Sequence, residues 1–462
     1  MSAPETPLII VGGDVITMNS SREVLVGGAV AIEAGRIAEV GSSSEILERW
    51  PHAKQISASG CVVTPGLINT HQHFTGDPLL KSCIPDQISS QEAIFNWAVP
   101  AHQAHTSADE ELSAALCAAE SALRGVTTVA EAGTVAHPHS VAQGISQIGI
   151  RAVLGIWGSD TPDLPLAGPV AEVVAQQRQL LRDFPQGVRI EGWVCLVGHD
   201  LASDELLCAA SELAQDEGVG MTMHISPTPA DSEIWLDRTG LLPLVHFEKL
   251  GILGRHLVLG HAVWLDSQEV EILLATETAV AFCPWAYLRL AQGTTQAGRH
   301  HEIWRQGGRV ALGADAHNAG DNADMLRVAA VCAGLWRDQS MSPDSFGAHH
   351  AFELLTLGGA DALGKEDQLG SIEVGKMADL VVFDARDVSW NPRGDLALQL
   401  IWGDVGHSVR DVFVGGQQIV RDFELTQLDL AELLAEAAAR QKVLLERTGA
   451  QLAPPWPLIQ AS

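Results

Sequence analysis

Eight apolar segments that alternate with helical patterns constrain this chain more than any other feature. They read "CVVTPGLINTHQH", "GVTTVAEAG", "GIRAVLGIWG", "RIEGWVCLVG", "VGMTMHIS", "HLVLGHAV", "AVAFCPW" and "VALGADAHN". Helical stretches such as "SADEELSAALCAAESALRG", with Ser107 placed to cap its start and Gly125 to stop it, separate many of them. Eight β/α units imply an α/β protein with a (β/α)8 TIM barrel, whose chemistry sits at the C-terminal ends of the strands. The 462 residues are too many for one ordinary core, but suit a barrel of roughly 250 to 300 residues plus a smaller domain.

The flanks have another rhythm. From Leu8 to about Val63, short strands ("LIIVGGDVITM", "GGAVAIEAGRIAEVG", "CVVTPGL") are broken by turn signals at Gly12-Gly13 and from Glu33 to Gly35. After residue 370, "GSIEVGKMADLVVFDA" and "SVRDVFVGGQQIV" are again short and Gly-punctuated. Both flanks are expected to form one sheet domain built from the two chain ends. The division this predicts is 1–64 and 366–425 for that domain, 65–365 for the barrel, and 426–462 for a C-terminal helix and tail. The helix, "LDLAELLAEAAARQKVLLER", is expected to lie on the barrel, with a subunit contact as its less favoured use; the Pro-rich end "APPWPL" follows it.

A composition of 46% hydrophobic and 18% charged residues belongs to a packed globular enzyme and excludes a disordered or fibrous chain. The formal charge of −29 repels phosphate backbones and anionic lipid, so nucleic acid and membrane are excluded as partners and a neutral or cationic small-molecule substrate remains. The seven cysteines form no C-x-x-C pair and lie mostly in apolar runs, as buried thiols of a reducing cytoplasm do. The opening "MSAPETPLII" lacks a basic segment followed by a long apolar core, and no later stretch approaches the roughly 18 apolar residues of a spanning helix. A soluble cytoplasmic homo-oligomer, dimer or tetramer, is the expectation.

Chemistry enters with "PGLINTHQHF". Alternation along a strand puts residues i and i+2 on one face, so His71 and His73 can reach one ion from the same side. His224 ends the fifth apolar segment, His261 the sixth and Asp315 the eighth, so all five would project toward one mouth of the barrel. A lone histidine at a strand end is more often a satisfied polar group than a ligand. Together, imidazoles and a carboxylate suit a divalent transition ion with an open position for water, zinc by default and cobalt, manganese or iron as substitutes.

"TPGLINTHQH", the strand-end His224, His261 and Asp315, and "LGSIEVGKMADLVVFD" from Leu369 to Asp384 resemble the amidohydrolase superfamily, especially its deaminase and triazine chlorohydrolase branch. The similarity covers nearly the whole chain. It implies a distorted barrel with a flanking β-sandwich, one metal held by His71, His73, His224 and Asp315, and His261 beside it, touching the hydrolytic water or the substrate. A bridged two-metal relative would need a carbamylated Lys or a carboxylate at the end of strand 4. "RIEGWVCLVGHD" contains no Lys and offers only His199 and Asp200 just beyond, so one ion per chain is expected.

The chain departs from that branch at three places. The usual H-x-x-E after strand 5 reads "HISP", with Pro227 where the proton-moving Glu would stand; Trp264 replaces the second histidine of H-x-x-H after strand 6; and "CPWAYL" puts Ala286 and Tyr287 in place of P-x-S-N. Asp315 is then the only general base and acid, with His261 as the second catalytic group. His199, Asp231, Glu233, His301 and His317 are candidate helpers, each with a commoner structural role. Phe74, Trp157, Trp264, Trp285 and Tyr287, with His317, would line an apolar substrate pocket.

These residues point first to hydrolysis of an uncharged amide, urea, carbamate or thiocarbamate-type C–N or C–S bond in a small hydrophobic molecule. A narrower similarity to phenylurea and thiocarbamate (molinate-type) herbicide hydrolases, which degrade xenobiotics, supports that reading. The alternative is an aminohydrolase or chlorohydrolase of an N-heterocycle of nucleobase, pterin or triazine type. A non-catalytic scaffold would lack the ligands, and all of them are present.

Overall fold

The computed structural model describes residues 6–162, 164, 166–404, 406–452, 456 and 459, so residues 1–5 and most of "APPWPL" lie outside the described residues. The eight expected barrel strands are all found. In order they are Leu67–Gln72, Val126–Glu131, Arg151–Leu154, Ile190–Gly192 continued by Val194–Gly198, Met221–Ile225, Leu257–His261, Ala279–Phe282 and Val310–Leu312. We number them 1 to 8. Their pairing is parallel, and nearly every residue in them is buried, which is why they read as unbroken apolar runs rather than as alternations.

The barrel is distorted at two seams. Trp193 splits strand 4, its N–H donating to Leu154 O at 3.0 Å. Strands 8 and 1 meet through a bridge between Gln72 and Asp315, with Asp315 N–H donating to His71 O (2.9 Å) and the Thr70 hydroxyl to Leu312 O (2.9 Å). The seam therefore joins the strand end that carries Asp315 directly to the one that carries His71 and His73.

Among the described residues the flanking sheet has nine strands and draws on both chain ends. Cys61–Pro65 pairs antiparallel with Leu380–Asp384, which is the join between the two ends. The sheet folds over a small apolar core that includes Ile10, Val30, Val63, Val382 and Phe413. Here the sequence reading needs two corrections. Gly12-Gly13 is no turn: it lies inside the strand Leu8–Ile16, where the register with Val24–Glu33 shifts and Gly12 takes φ 84°, as a bulge requires. "CVVTPGLINTHQH" is two strands, of which Cys61–Pro65 belongs to the flanking sheet and only Leu67–Gln72 to the barrel.

A third correction concerns the helix Ser107–Leu123. Its cap is Thr106, not Ser107, because only Thr106 stands three residues before Asp109: the Thr106 hydroxyl accepts from Asp109 N–H (3.3 Å) and the Asp109 carboxylate accepts from Thr106 N–H (2.8 Å). The same carboxylate pairs with Arg440 and Arg447 of the C-terminal helix Leu430–Thr448, clamping that helix onto the barrel's outer layer. Burial alone would raise the Asp109 carboxyl, but the Arg440, Thr106 and Arg447 bonds outweigh it and hold the group well below the usual carboxylate range. Asp109→Asn should cost about 1–3 kcal/mol, less than the roughly 3–5 kcal/mol of a fully buried pair, because both guanidiniums are partly in water. A depressed folded-state pKa stabilises above the unfolded value of roughly 4 and is lost as pH falls below it. Thermal melts should therefore show a wild-type advantage at pH 7 that shrinks near pH 3.

Candidate metal centre and active site

His71 and His73 close strand 1, His224 lies in strand 5, His261 ends strand 6 and Asp315 follows strand 8. All five meet at the C-terminal mouth. The Nε2 atoms of His73 and His224 are 3.3 Å apart, and Asp315 Oδ1 lies 3.4 Å from His73 Nε2 and 3.7 Å from His71 Nε2. Ring centroids separate His71 from His224 by 4.8 Å, and His261 from His71 and His224 by 5.0 and 5.1 Å. Both nitrogens of His71 and Nδ1 of His261 are buried without a hydrogen-bond partner among the described residues. Buried polar atoms left this way call for a ligand, and the ligand atoms of His71, His73 and His224 lie within 4.8 Å of one another, a set that fits one divalent cation.

The local backbone explains how these side chains reach one point. His261, Ala262 and Asp315 take φ of 77°, 53° and 66°, a left-handed conformation that costs non-glycine residues about 1–3 kcal/mol each and collects at functional sites. The His71 ring needs space that only glycine leaves: a Cβ on Gly260 of strand 6 would fall 2.5 Å from its Cε1, and one on Gly313 after strand 8 would fall 2.7 Å from its Cβ.

Hydrogen bonds set the tautomers. His224 Nδ1 donates to Val197 O, leaving Nε2 with its lone pair. The Thr134 hydroxyl donates to Glu131 Oε1 (2.9 Å), so it accepts from His73 Nδ1 (3.2 Å) and again frees Nε2. Glu131, fully buried at the end of strand 2, also takes the N–H groups of Phe74 (2.8 Å) and Thr134 (2.9 Å), so one carboxylate organises the loops around His73. Burial, reinforced by neighbouring imidazoles, lowers His71 well below its ordinary value and His224 to about 3, and burial lowers His261; all three stay neutral. His73 moves up, because the Asp315 hydrogen bond and charge outweigh burial. Burial pushes Asp315 up, yet the His73 bond first, and the surrounding imidazoles after it, hold it well below the usual range, so it is an ionised base.

The expected pocket residues differ from one another in their surroundings. Phe74 is wholly enclosed in the apolar core. Tyr287 is also wholly buried; its hydroxyl accepts from Cys283 N–H (2.9 Å) and its ring meets that of His261 at 5.6 Å, so it braces His261 from behind. Trp264 donates to Gln292 O (2.8 Å). Trp285 donates to Gly320 O (3.0 Å), stacks under Arg327, and borders an open cavity of about 450 Å³ with Asp86, Arg289 and Asn322. His317 is tied through Nε2 to Glu120 (2.8 Å), whose same oxygen takes Lys81 (2.7 Å), a structural bond rather than a proton relay.

Of the other helper candidates, His199 packs on Trp235, Asp231 caps its own helix with Thr228, Glu233 is exposed and His301 stacks on Trp336. Strand 4 carries Glu191, but near its start, paired with Lys365. Three residues escaped the sequence reading. Glu131 holds the loops together, while Asp77 and His102 are buried in the loop after strand 1; burial lifts the Asp77 carboxyl to about 7, against the opposing charge of His73.

The amidohydrolase family model matches residues 62–419, and residues 28–53 match an imidazolonepropionase-like composite domain of bacteria. The 5-methylthioadenosine/S-adenosylhomocysteine deaminase of Symbiobacterium thermophilum is 31% identical over 94% of this chain and 98% of its own. A crystal structure of an adenosine deaminase from Xanthomonas campestris with bound zinc superimposes with a TM-score of 0.90 at 26% identity, covering 96% of this chain and 100% of that one. The atrazine chlorohydrolase of Arthrobacter aurescens, complexed with zinc, shares the fold with a TM-score of 0.86 at 22% identity over 94% of this chain and 100% of its own.

Proposed function

We infer that this chain, which belongs to the amidohydrolase family and is a metal-dependent hydrolase of C–N bonds, is an aminohydrolase of an N-heterocycle, releasing ammonia from an amino-bearing ring carbon of adenosine type. The observation that carries this is the set of neutral His71 and His224, His73 and ionised Asp315 at one barrel mouth, in a chain alignable end to end with an aminohydrolase. His71, His73, His224 and Asp315 would hold one ion, which when bound supplies Lewis acidity toward water and the electrophilic carbon. Zinc is the first choice. Asp315 takes a proton from the attacking water and gives it to the leaving nitrogen, so one water enters, a C–O bond replaces the C–N bond, and ammonia departs. His261, with Nδ1 unengaged, meets the water or the substrate.

The amide, urea or thiocarbamate reading that leads from sequence yields here, because the relatives named as deaminases align over nearly the whole chain. It survives as a second reading on one observation, Pro227, which carries no proton where a relay group would stand. A panel of adenosine, 5-methylthioadenosine, S-adenosylhomocysteine, guanine and a chlorotriazine, set against simple amides, ureas and thiocarbamates, separates the two. Ammonia from the heterocycles is the expected result; hydrolysis confined to the second group would sink the aminohydrolase reading.

Elemental analysis should find one transition-metal ion per chain, since strand 4 ends without a bridging Lys or carboxylate. Two tightly held ions would overturn that. The partner is a small molecule, and the compartment a reducing one such as the cytoplasm, which suits seven free thiols. Among the described residues no helix is long and apolar enough to cross a membrane.

A further inference from the structure

Three buried polar groups beside the metal centre take no part in the reaction described above. Asp77 opens a short helical turn four residues past His73; it is 2% exposed and its Oδ1 has no partner among the described residues. The His102 ring, from the helix Val99–Ala104, lies directly on Gly76, where a Cβ would fall 2.3 Å from its Cε1, and its Nδ1 is equally unpartnered. Trp157, beyond strand 3, stands 5.9 Å from the His102 ring with its Nε1 buried and unpartnered. The His102 ring thus touches Trp157 on one side and, on the other, the glycine that precedes Asp77, and a carboxyl oxygen, an imidazole nitrogen and an indole N–H from three neighbouring segments have no partner among the described residues.

Each such orphan costs about 1–3 kcal/mol, and native proteins hold only a few per hundred residues, so three gathered around His102 and Gly76 suit a place where a ligand completes the bonds. The cluster is wired to the metal centre. The Thr75 hydroxyl donates to Thr134 O (2.9 Å), Thr134 holds His73, and Asp77 N–H returns to Thr75 O (2.9 Å). The charges of His73 and Asp315 both act on the Asp77 carboxyl, and that of His73 on His102.

The chemistry of the missing partner follows. Indole Nε1 only donates, so the ligand must present a lone pair, while a carboxyl and an imidazole nitrogen accept or donate according to protonation. The His102 and Trp157 rings, tilted 58° to each other, offer apolar surface beside these polar atoms. We propose that Asp77, His102 and Trp157 form the recognition subsite for the polar edge of the substrate heterocycle, pairing with its ring-nitrogen lone pairs and N–H groups while the adjacent carbon faces Asp315. The subsite rests on the aminohydrolase reading and adds to it the feature recognised, a ring edge rather than a sugar or an apolar tail.

The test uses the metal-loaded enzyme with the heterocycle it turns over and an analogue in which one ring nitrogen is replaced by CH, such as adenosine and 1-deazaadenosine. Asp77→Asn and Trp157→Phe preserve shape, and melts and metal content should match wild type. Each should lower kcat/KM about 10–100-fold, chiefly through KM, and the wild-type preference for the nitrogen-bearing ring, scored by substrate and inhibitor affinities, should collapse toward unity. Wild-type kcat/KM and undiminished ring discrimination in both variants overturn the subsite while leaving the aminohydrolase reading intact. Wild-type protein that releases ammonia from no heterocycle removes that reading, and the subsite with it, before any variant is made.

Discussion

His71→Ala and His73→Ala proteins are expected to fold, to come off purification without metal, and to lose turnover altogether. His71 has both ring nitrogens buried without partners among the described residues and is framed by Gly260 and Gly313, a placement that suits a metal ligand. Water cannot replace an inner ligand without loosening the ion, so the loss should exceed the ~10²-fold that removal of an outer partner costs. Thr134→Val supplies that milder comparison: it deletes the acceptor of His73 Nδ1, leaves the ligands in place, and should weaken metal affinity by about 10–100-fold. Cys283 provides the opposite control. Its sulfur lies near His71 and His261, but it points back to Ala281 O (3.7 Å) and burial pushes the thiol well above its ordinary value, so it is expected to stay beside the ion rather than to hold it. Cys283→Ser should keep its metal and change mainly stability. A His71→Ala protein with full metal and full turnover would make the strand-1 pair structural.

How far the sequence could be read depended on what each residue's neighbours require. Strands buried on both faces leave unbroken apolar runs, so all eight were legible, and the i, i+2 spacing of His71 and His73 carries its geometry in the text. The bulge at Gly12 was not, since a pair of glycines serves a turn and a bulge equally well until the partner strand fixes the register. The cap went to Thr106 rather than Ser107 on the position of one carboxylate, Asp109, three residues on. Phe74 and Tyr287 read as mouth aromatics because a residue at a strand end has no marker for turning inward; Tyr287 packs behind His261 and Phe74 in the apolar core. Asp77 was hidden most completely. "TGDPLL" has the composition of an exposed turn, and burial of a carboxyl leaves no trace in spacing or periodicity.

Asp315→Asn is expected to fold normally, retain its metal on His71, His73 and His224, and lose at least the ~10²-fold of turnover typical of a missing general base. The substitution is clean for two reasons. Asparagine is among the few non-glycine residues at home at the φ of 66° found here, and its side-chain oxygen can still accept from Ala316 N–H, as Asp315 Oδ1 does at 2.7 Å. What vanishes is the ionised carboxylate that the surrounding imidazoles hold below the usual range. Pro227→Glu asks the complementary question. Pro227 follows Ser226, whose carbonyl takes the N–H groups of Val263 and Trp264 at 3.1 Å, so the new side chain would sit on a loop pinned to the end of strand 6 beside His261. If the proton path to the ring runs poorly for want of a group there, Pro227→Glu should raise ammonia release from an aminated heterocycle at unchanged metal content. Slower release would mean that the pocket already routes the proton elsewhere. Near-wild-type turnover by metal-loaded Asp315→Asn would end the one-carboxylate mechanism, and the base would then have to be sought at His199 or Asp77.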